Sequence, residues 1–254
     1  MCLCSQPSLT ERTVDDHRQL HARYGAMGSA LRGRLANILL HHVGGHDLEY
    51  ELTLRRQKQF ETRARAARLR HAASVEDVNY QSSRGLDRAL FLKLGACDWI
   101  AERRNLLITG ASGLGKSWLA CALGQKACRE NISVLYIRMP RLFADLALAH
   151  GDARYGRMLR TFARTKLLIL DDWGPESLSS DQARDLLEII EDRYDKGSLI
   201  ITSQVPVDRW HDMIGIPTLA DAILDRVVHN AYRLDLSGES LRKQSSPAKS
   251  TSVK

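Results

Sequence analysis

The sequence predicts an α/β fold in which a parallel β-sheet carries helices on both faces, preceded by a small all-α domain. Two observations lead to this prediction. From about residue 75, short apolar runs alternate with longer helical segments, which is the pattern of repeated βαβ units. Before that point the 254-residue chain has no strong strand run and is rich in Arg, Leu, Ala, His and Gln, a composition that favours helices.

The N-terminal all-α domain is predicted to cover residues 1–74. One amphipathic helix is indicated by the spacing of Leu31, Leu35, Ile38 and Leu39. A second, long helix is predicted over residues 55–70, which contain neither Gly nor Pro. This stretch has a single acidic residue, Glu61, and concentrates positive charge in Arg55, Arg56, Lys58, Arg63, Arg65, Arg68 and Arg70.

The α/β domain is predicted to cover residues 75–244. Its apolar runs have the length and composition of buried parallel strands, and they lie at 106–109, 134–139, 167–170, 199–202 and 232–236. The helical segments of this domain are predicted at 116–130, 141–149, 181–194 and 218–230. The Ser- and Lys-rich tail at 245–254 is predicted to be disordered.

Composition narrows the class of protein. Hydrophobic residues make up 44% and charged residues 26% of the chain, as in soluble globular proteins. We expect no membrane span and no signal peptide, because the sequence has no apolar run of about 18 residues and no basic region followed by an apolar stretch. The chain has five cysteines. This odd number disfavours a disulfide framework and favours a location in the reducing cytoplasm. The net charge of +7 hints at a polyanionic partner such as nucleic acid.

A phosphate-binding loop is the strongest motif. Residues 110–117 match G-x-x-x-x-G-K-[ST] at every fixed position, between a predicted strand and a predicted helix. Glycines let the backbone turn so that its N–H groups point at phosphates, and the helix N-terminus adds its dipole. The sequence therefore predicts an ATP site formed by Gly110, Ala111, Ser112, Gly113, Leu114, Gly115, Lys116, Ser117 and Trp118. The alternative is a glycine-rich turn followed by a chance Lys-Ser pair.

Within this loop two side chains have distinct expected roles. Lys116 is expected to contact the β- and γ-phosphates, and the hydroxyl of Ser117 is expected to bind Mg²⁺.

Two acids follow the apolar run at 167–170. Ligands bind at the carboxyl ends of strands in such sheets, so we expect Asp171 to hold Mg²⁺, directly or through water, and Asp172 to orient or deprotonate the attacking water. The alternative is a solvated acidic turn. Asp172 is one methylene shorter than a glutamate, which leaves the efficiency of hydrolysis open.

A polar pair follows the next apolar run, at 199–202. Either Gln204 or Ser203 is predicted to hydrogen-bond the attacking water or the γ-phosphate; the alternative is that both only cap the strand.

The chain resembles a known family. The segments LLILDDWG, IITSQVPVDRWHD, ADAILDRVVHNAYRLDL and GESLRK are similar to those of IstB, the insertion-sequence ATP-binding proteins. These are AAA+ P-loop NTPases related to the helicase loader DnaC and the initiator DnaA. The resemblance covers residues 20–244.

The resemblance implies a function. Such proteins hydrolyse ATP, assemble as homo-oligomers on double-stranded DNA and stimulate a partner transposase of the IstA type. The N-terminal domain would serve as an adaptor for assembly. Like DnaC and IstB, the chain is expected to have no full lid domain, because too few residues follow the last predicted strand.

The resemblance also implies two further nucleotide contacts. Nucleotide in AAA+ assemblies lies between subunits, and Arg226 matches the arginine finger that a neighbour supplies. The alternative for Arg226 is an ion pair with Asp221 or Asp225. Arg242 matches the second sensor arginine of the family.

Two basic zones are candidates for DNA contact. One is the stretch that contains Arg55, Arg56, Lys58 and Arg63; its alternative is a solvated or protein-docking helix. The other matches a helical element that faces nucleic acid in the DnaA and DnaC group, and its arginines recur at helical spacing. They are Arg154, Arg157, Arg160 and Arg164, for which a solvated face is the alternative.

Three other functions stay open alongside the transposition helper. A DnaC-like helicase loader would use the same ATPase fold with a different partner. A P-loop kinase would need an acceptor-binding lid, which the sequence lacks. A scaffold that binds ATP without hydrolysing it is compatible with the short side chain of Asp172.

Overall fold

A computed structural model describes residues 50–82, 84–174 and 176–241. The chain separates into two compact units, residues 1–57 and residues 58–254. Residues 50–67 are helical, with 50–57 in the first unit and 58–67 (α1) in the second. The helix predicted around Leu31–Leu39 and the tail at 245–254 lie outside the described residues. The domain limits at 74 and 244 therefore stay predictions.

The described part of the second unit alternates strands and helices. A short 3-10 turn at Val75–Asp77 follows α1. The elements after it are α2 (Arg88–Gly95), α3 (Asp98–Ala101), β1 (Asn105–Gly110), α4 (Lys116–Arg129), β2 (Val134–Arg138), α5 (Met139–Ala149), α6 (Arg154–Arg164), β3 (Leu167–Trp173), α7 (Ser180–Arg193), β4 (Ser198–Ser203), a 3-10 turn (Val207–Arg209), α8 (Trp210–Ile214), α9 (Pro217–Val228) and β5 (Ala231–Leu236).

The strands form one parallel sheet in the order β2-β3-β4-β1-β5. The fold class and the five predicted strands are confirmed, although each strand differs from its predicted range by one to three residues at one or both ends. Met139, predicted to end β2, begins α5, because Pro140 suits the first turn of a helix, where its missing N–H has no role. Strand β3 continues through both acids to Trp173.

The strands are apolar throughout because both faces of the sheet are covered. Alternate residues of one strand enter opposite layers: Leu106 and Ile108 join the layer of α2 and α4, whereas Leu107 joins that of α5, α7 and α9. Ala67 and Ala73 are buried in the layer of α2 and α4, so the end of α1 and the residues just after it pack against the sheet.

Two helices, α5 and α6, fill the connection between β2 and β3. Helix α6 buries Leu159 and Phe162, and its four predicted DNA-contacting arginines are exposed. The end of α6 is tied to the sheet by the buried Arg193, whose guanidinium donates to the carbonyls of Phe162, Thr165, Lys166 and Ser198. Burial lowers the pKa of Arg193 to about 10. No helix within 50–82, 84–174 and 176–241 is both long and apolar enough to cross a bilayer.

Candidate nucleotide-binding site

The loop at 110–117 joins β1 to α4 at the carboxyl edge of the sheet. Its turn requires glycine at two positions for steric reasons. A Cβ on Gly110, which has φ +139°, would lie 2.3 Å from the carbonyl oxygen of Leu236. A Cβ on Gly113, which has φ +87°, would lie 2.1 Å from the hydroxyl of Ser240. The loop is therefore packed closely against the segment that follows β5.

Lys116 begins α4 and turns back over the loop. Its Nζ donates to the carbonyl oxygens of Gly110 at 2.7 Å and Ala111 at 2.9 Å. Burial lowers the pKa of Lys116, and the nearby carboxylates of Asp171 and Asp172 oppose this shift. The ammonium is thus held beside both acids predicted for the site.

Asp171 is fully buried at the end of β3. Its carboxylate accepts hydrogen bonds from the hydroxyls of Tyr136, at 2.5 Å, and Thr202, at 2.6 Å. Burial and the bond to Asp171 raise the pKa of Tyr136, so that this phenol stays a donor. The two neighbouring strands, β2 and β4, thereby fix the orientation of the carboxylate.

Asp172 lies at an irregularity in β3. Its φ is +64°, and the pairing of β3 with β4 shifts register between Leu170 and Trp173. The Asp172 N–H donates to the hydroxyl of Thr202 at 2.9 Å instead of continuing the ladder. Such a bulge redirects a side chain, and here it directs the carboxylate of Asp172 into the cavity beside the loop.

The Asp172 carboxylate accepts a hydrogen bond from Nη2 of Arg138 at 2.5 Å. This bond is the main reason that the pKa of Arg138 is raised. Because both side chains are partly exposed, solvent screens the pair and makes it easy to exchange.

A cavity of about 620 Å³ opens over these groups, within the range of small-molecule sites. Seven residues from the predicted phosphate loop and acidic pair line it: Ser112, Gly113, Gly115, Lys116, Ser117, Trp118 and Asp172. Gln204 lines it too, whereas the buried Ser203 hydroxyl donates to the carbonyl of Trp173 and accepts from the N–H of Val205. Of the two residues predicted at the end of β4, only Gln204 therefore faces the cavity.

Several cavity residues were not found by sequence reasoning. They are Arg70, His71, Asp77, Asn79, Arg84, Arg138, Thr202 and Leu241. Two of them carried a usable signal, because Arg138 ends β2 and Thr202 lies one step before the polar end of β4. The residues between 70 and 84 precede β1 in irregular structure, and nothing in their local pattern indicates that they face the loop.

Arg226 lies away from this cavity. It pairs with Glu191 at 3.2 Å, rather than with Asp221 or Asp225, and donates to the carbonyl of Ala222 at 2.8 Å. Its guanidinium also lies over the ring of Tyr194, 5.9 Å from the centroid. Arg242 lies outside the described residues.

The two basic zones differ in how their cations are paired. Arg63 donates to the carbonyl of Cys128 at 2.9 Å and Arg55 pairs with Glu51 at 2.7 Å. On α6, Arg154 pairs with Asp152 at 2.6 Å. The remaining predicted contacts, Arg56, Lys58, Arg157, Arg160 and Arg164, are exposed.

Comparison with known proteins decides the family. The model of the IstB-like ATP binding protein family matches residues 32–249. The chain belongs to this family. It is 63% identical over 196 residues to an insertion sequence ATP-binding protein of Sinorhizobium fredii, y4pL, covering 77% of this chain and 80% of the relative.

The fold of this IstB-like chain is also found in solved structures of other proteins. The crystal structure of DnaI matches with a TM-score of 0.57 at 22% identity, over 65% of this chain and 92% of that one. The DnaC helicase loader matches with a TM-score of 0.53 at 21% identity, over 65% and 97%. At these identities the likeness shows the fold, which is that of the DnaC and DnaA group of P-loop AAA+ domains.

The donor set at the end of β3 is compatible with a magnesium ion. Mg²⁺ prefers oxygen ligands and is usually held by one or two carboxylates, waters and substrate phosphates. Asp171 supplies a buried carboxylate, next to the cavity-lining Asp172, that forms no ion pair with any basic side chain in the described ranges, and Ser117 supplies a hydroxyl that lines the cavity. A buried carboxylate without a paired cation favours binding of a metal.

Proposed function

We propose that this IstB-like chain is an ATP-hydrolysing, DNA-binding protein that oligomerises on duplex DNA and assists a partner transposase. The observation that carries the proposal is the placement of Lys116, Ser117, Asp172 and Gln204 around one cavity, in a chain whose relatives are named insertion sequence ATP-binding proteins. Each of these four side chains has a chemical role in phosphoryl transfer.

The proposed binding step uses the loop and its lysine. The N–H groups of residues 113–117 cradle the phosphates, and the Lys116 ammonium exchanges the carbonyls of Gly110 and Ala111 for phosphate oxygens. Ser117 and Asp171 would hold Mg²⁺, which neutralises phosphate charge when bound.

The proposed hydrolytic step depends on Asp172. Its carboxylate leaves Arg138 and accepts a proton from the water that attacks the γ-phosphorus, while the bond to the ADP oxygen breaks. Gln204 orients the water. Release of Asp172 is feasible because its ion pair with Arg138 is screened by solvent.

Arg226 is proposed to complete the site of a neighbouring subunit. It lies away from the cavity of its own chain, and its partner Glu191 is half-exposed, so the ion pair can be exchanged for phosphate. A guanidinium suits this role because it is always charged and can contact two oxygens at once.

Arg226→Ala is expected to lower DNA-stimulated ATP hydrolysis by about a thousandfold, the scale of a lost arginine finger. Nucleotide affinity of the isolated subunit should stay within twofold. Phosphate release and fluorescent ATP titration measure the two effects. Arg184→Ala is the matched control, because Arg184 is an exposed arginine on α7 that pairs with Asp181. Full hydrolysis by an isolated monomer would contradict the assignment.

We propose that α6 is the main DNA contact. It presents Arg157, Arg160 and Arg164 on an exposed surface with no ion pair among the described residues, whereas the first zone includes two cations already engaged, Arg55 and Arg63. Contacts from arginines to phosphates add affinity that falls with salt.

The affinity of a DNA-binding protein falls as the salt concentration rises. Replacing Arg157, Arg160 and Arg164 with alanine is expected to make the slope of log association constant against log salt concentration less steep by about 2.7, or about 0.9 per phosphate contact. Fluorescence anisotropy on a duplex at several salt concentrations measures it. The comparison variant replaces Arg55, Arg56 and Lys58 with alanine and should keep most of the slope. The reverse result would move the DNA contact to the first zone.

Pull-down with the cognate transposase and with a replicative helicase tests the proposed partner. Binding to the transposase supports a transposition helper. Binding to the helicase alone would favour a loader, which the fold accommodates equally well. Electron microscopy on duplex DNA, with and without a slowly hydrolysed ATP analogue, tests the oligomer.

A further inference from the structure

Arg84 is a buried cation at the cavity beside the phosphate loop, and it has no role in the proposed hydrolysis. Its side chain is 3% exposed. It forms no ion pair within residues 50–82, 84–174 and 176–241, where its Nε also lacks a hydrogen-bond partner. Nη2 donates to the carbonyl of Asn79 at 3.2 Å and Nη1 to that of Leu114 at 3.4 Å, both long contacts.

A buried guanidinium with so few partners is unfavourable by itself. Burial lowers the pKa of Arg84, because transferring a charge out of water without a counter-ion costs free energy. An anion that enters the cavity would offset this cost, and Arg84 lines that cavity.

Arg84 is held against the loop by neighbouring backbone. Its carbonyl accepts the N–H of Ser237 at 3.0 Å, and the N–H of Leu241 donates to the carbonyl of Gly113 at 3.0 Å. A Cβ on Gly115 would lie 3.0 Å from Nη1 of Arg84, so the loop and the guanidinium are in direct contact. The cation is therefore preorganised.

The sheet order places Arg84 on one side of the loop. Strand β1 lies between β4 and β5. Thr202 and Asp172 lie on the side of β4 and β3, where the γ-phosphate is proposed to react, whereas Ser237, which fixes Arg84, directly follows β5. If a triphosphate has its γ-phosphate beside Asp172 and runs along the loop toward β5, its α-phosphate would lie on the side of Arg84.

We propose that Arg84 binds the α-phosphate of the nucleotide in its own subunit. This inference rests on the proposed nucleotide site and adds to it a contact with the phosphate nearest the ribose. Arg84 then supplies the positive charge on the β5 side of the loop, as Lys116 does at the β- and γ-phosphates.

The test uses ADP and the two diastereomers of ADP with sulfur on the α-phosphorus, titrated by calorimetry into the full chain. Arg84→Met is expected to lower ADP affinity about ten- to hundredfold, the range for hydrogen bonds to a charged group. The wild type should discriminate between the diastereomers, and this discrimination should disappear in Arg84→Met. Arg84→Lys should recover part of both. Arg88→Met is the control, because Arg88 lies outside the cavity over the ring of Tyr80.

Three outcomes overturn the inference. Unchanged ADP affinity in Arg84→Met removes the contact. Weaker ADP binding by Arg84→Met and Arg84→Lys, with the diastereomer preference of the wild type retained in both, assigns Arg84 a structural role in shaping the loop. Equal binding of the two diastereomers by the wild type leaves no oriented α-phosphate contact. If the wild type binds no ADP at all, the proposed function fails rather than this contact alone.

Discussion

Replacing Lys116 with alanine is expected to lower the affinity for magnesium–ATP by at least about a hundredfold, which corresponds to about 3 kcal/mol. The ammonium is the only basic group of the described loop residues 110–117, and it is already oriented by the carbonyls of Gly110 and Ala111. Fluorescent ATP titration measures the affinity. ATP-dependent assembly on duplex DNA, followed by electron microscopy, should be lost with it.

The control for this experiment is Lys126→Ala. Lys126 lies on the same helix and pairs with Glu130 at 2.5 Å, away from the cavity. Thermal unfolding of both variants separates a loss of binding from a loss of fold. Unchanged filaments of Lys116→Ala on DNA would contradict the proposed link between ATP binding and assembly.

Asp172→Asn is expected to keep ATP binding and DNA assembly but to slow hydrolysis by at least about a hundredfold, the lower end for loss of a general base. Asparagine has the same shape, and the backbone bond from residue 172 to Thr202 does not depend on the carboxylate. Single-turnover phosphate release measures the chemical step. Complexes on DNA should persist, because disassembly requires hydrolysis in the proposed cycle.

Asp145→Asn is the matched control, because Asp145 is a carboxylate on α5 that pairs with Arg141 at 2.9 Å and does not line the cavity. Its phosphate release should equal that of the wild type. Normal release by Asp172→Asn would remove Asp172 from the catalytic role. Release that is already negligible in the wild type, with binding intact, would favour the scaffold that uses ATP only for assembly.

The strands and the phosphate loop were predictable because each depends on local sequence. Buried parallel strands are apolar on both faces, so the runs at 106–109 and 167–170 stand out within a few residues. The loop is a continuous segment of backbone, and the fixed residues of its motif can be recognised without knowledge of any distant contact. The extent of β3 beyond Leu170 was not predictable, because acids rarely continue a buried strand.

Other features of the site depend on groups brought together from distant parts of the chain. Tyr136 reaches Asp171 because β2 and β3 are neighbours, and Thr202 reaches both acids because β4 lies on the other side of β3. Arg226 pairs with Glu191 of α7 rather than with an acid of its own helix for the same kind of reason.

The sequence by itself determined the α/β class, the family and the loop that is proposed to hold phosphates, because each of these can be recognised from short continuous segments of the chain. Only the tertiary structure decided which side chains surround that loop. Strand order sets which strand ends become neighbours, and packing sets which cations remain without a counter-ion. Arg138 beside Asp172 and Arg84 beside the loop are therefore visible only in the folded chain.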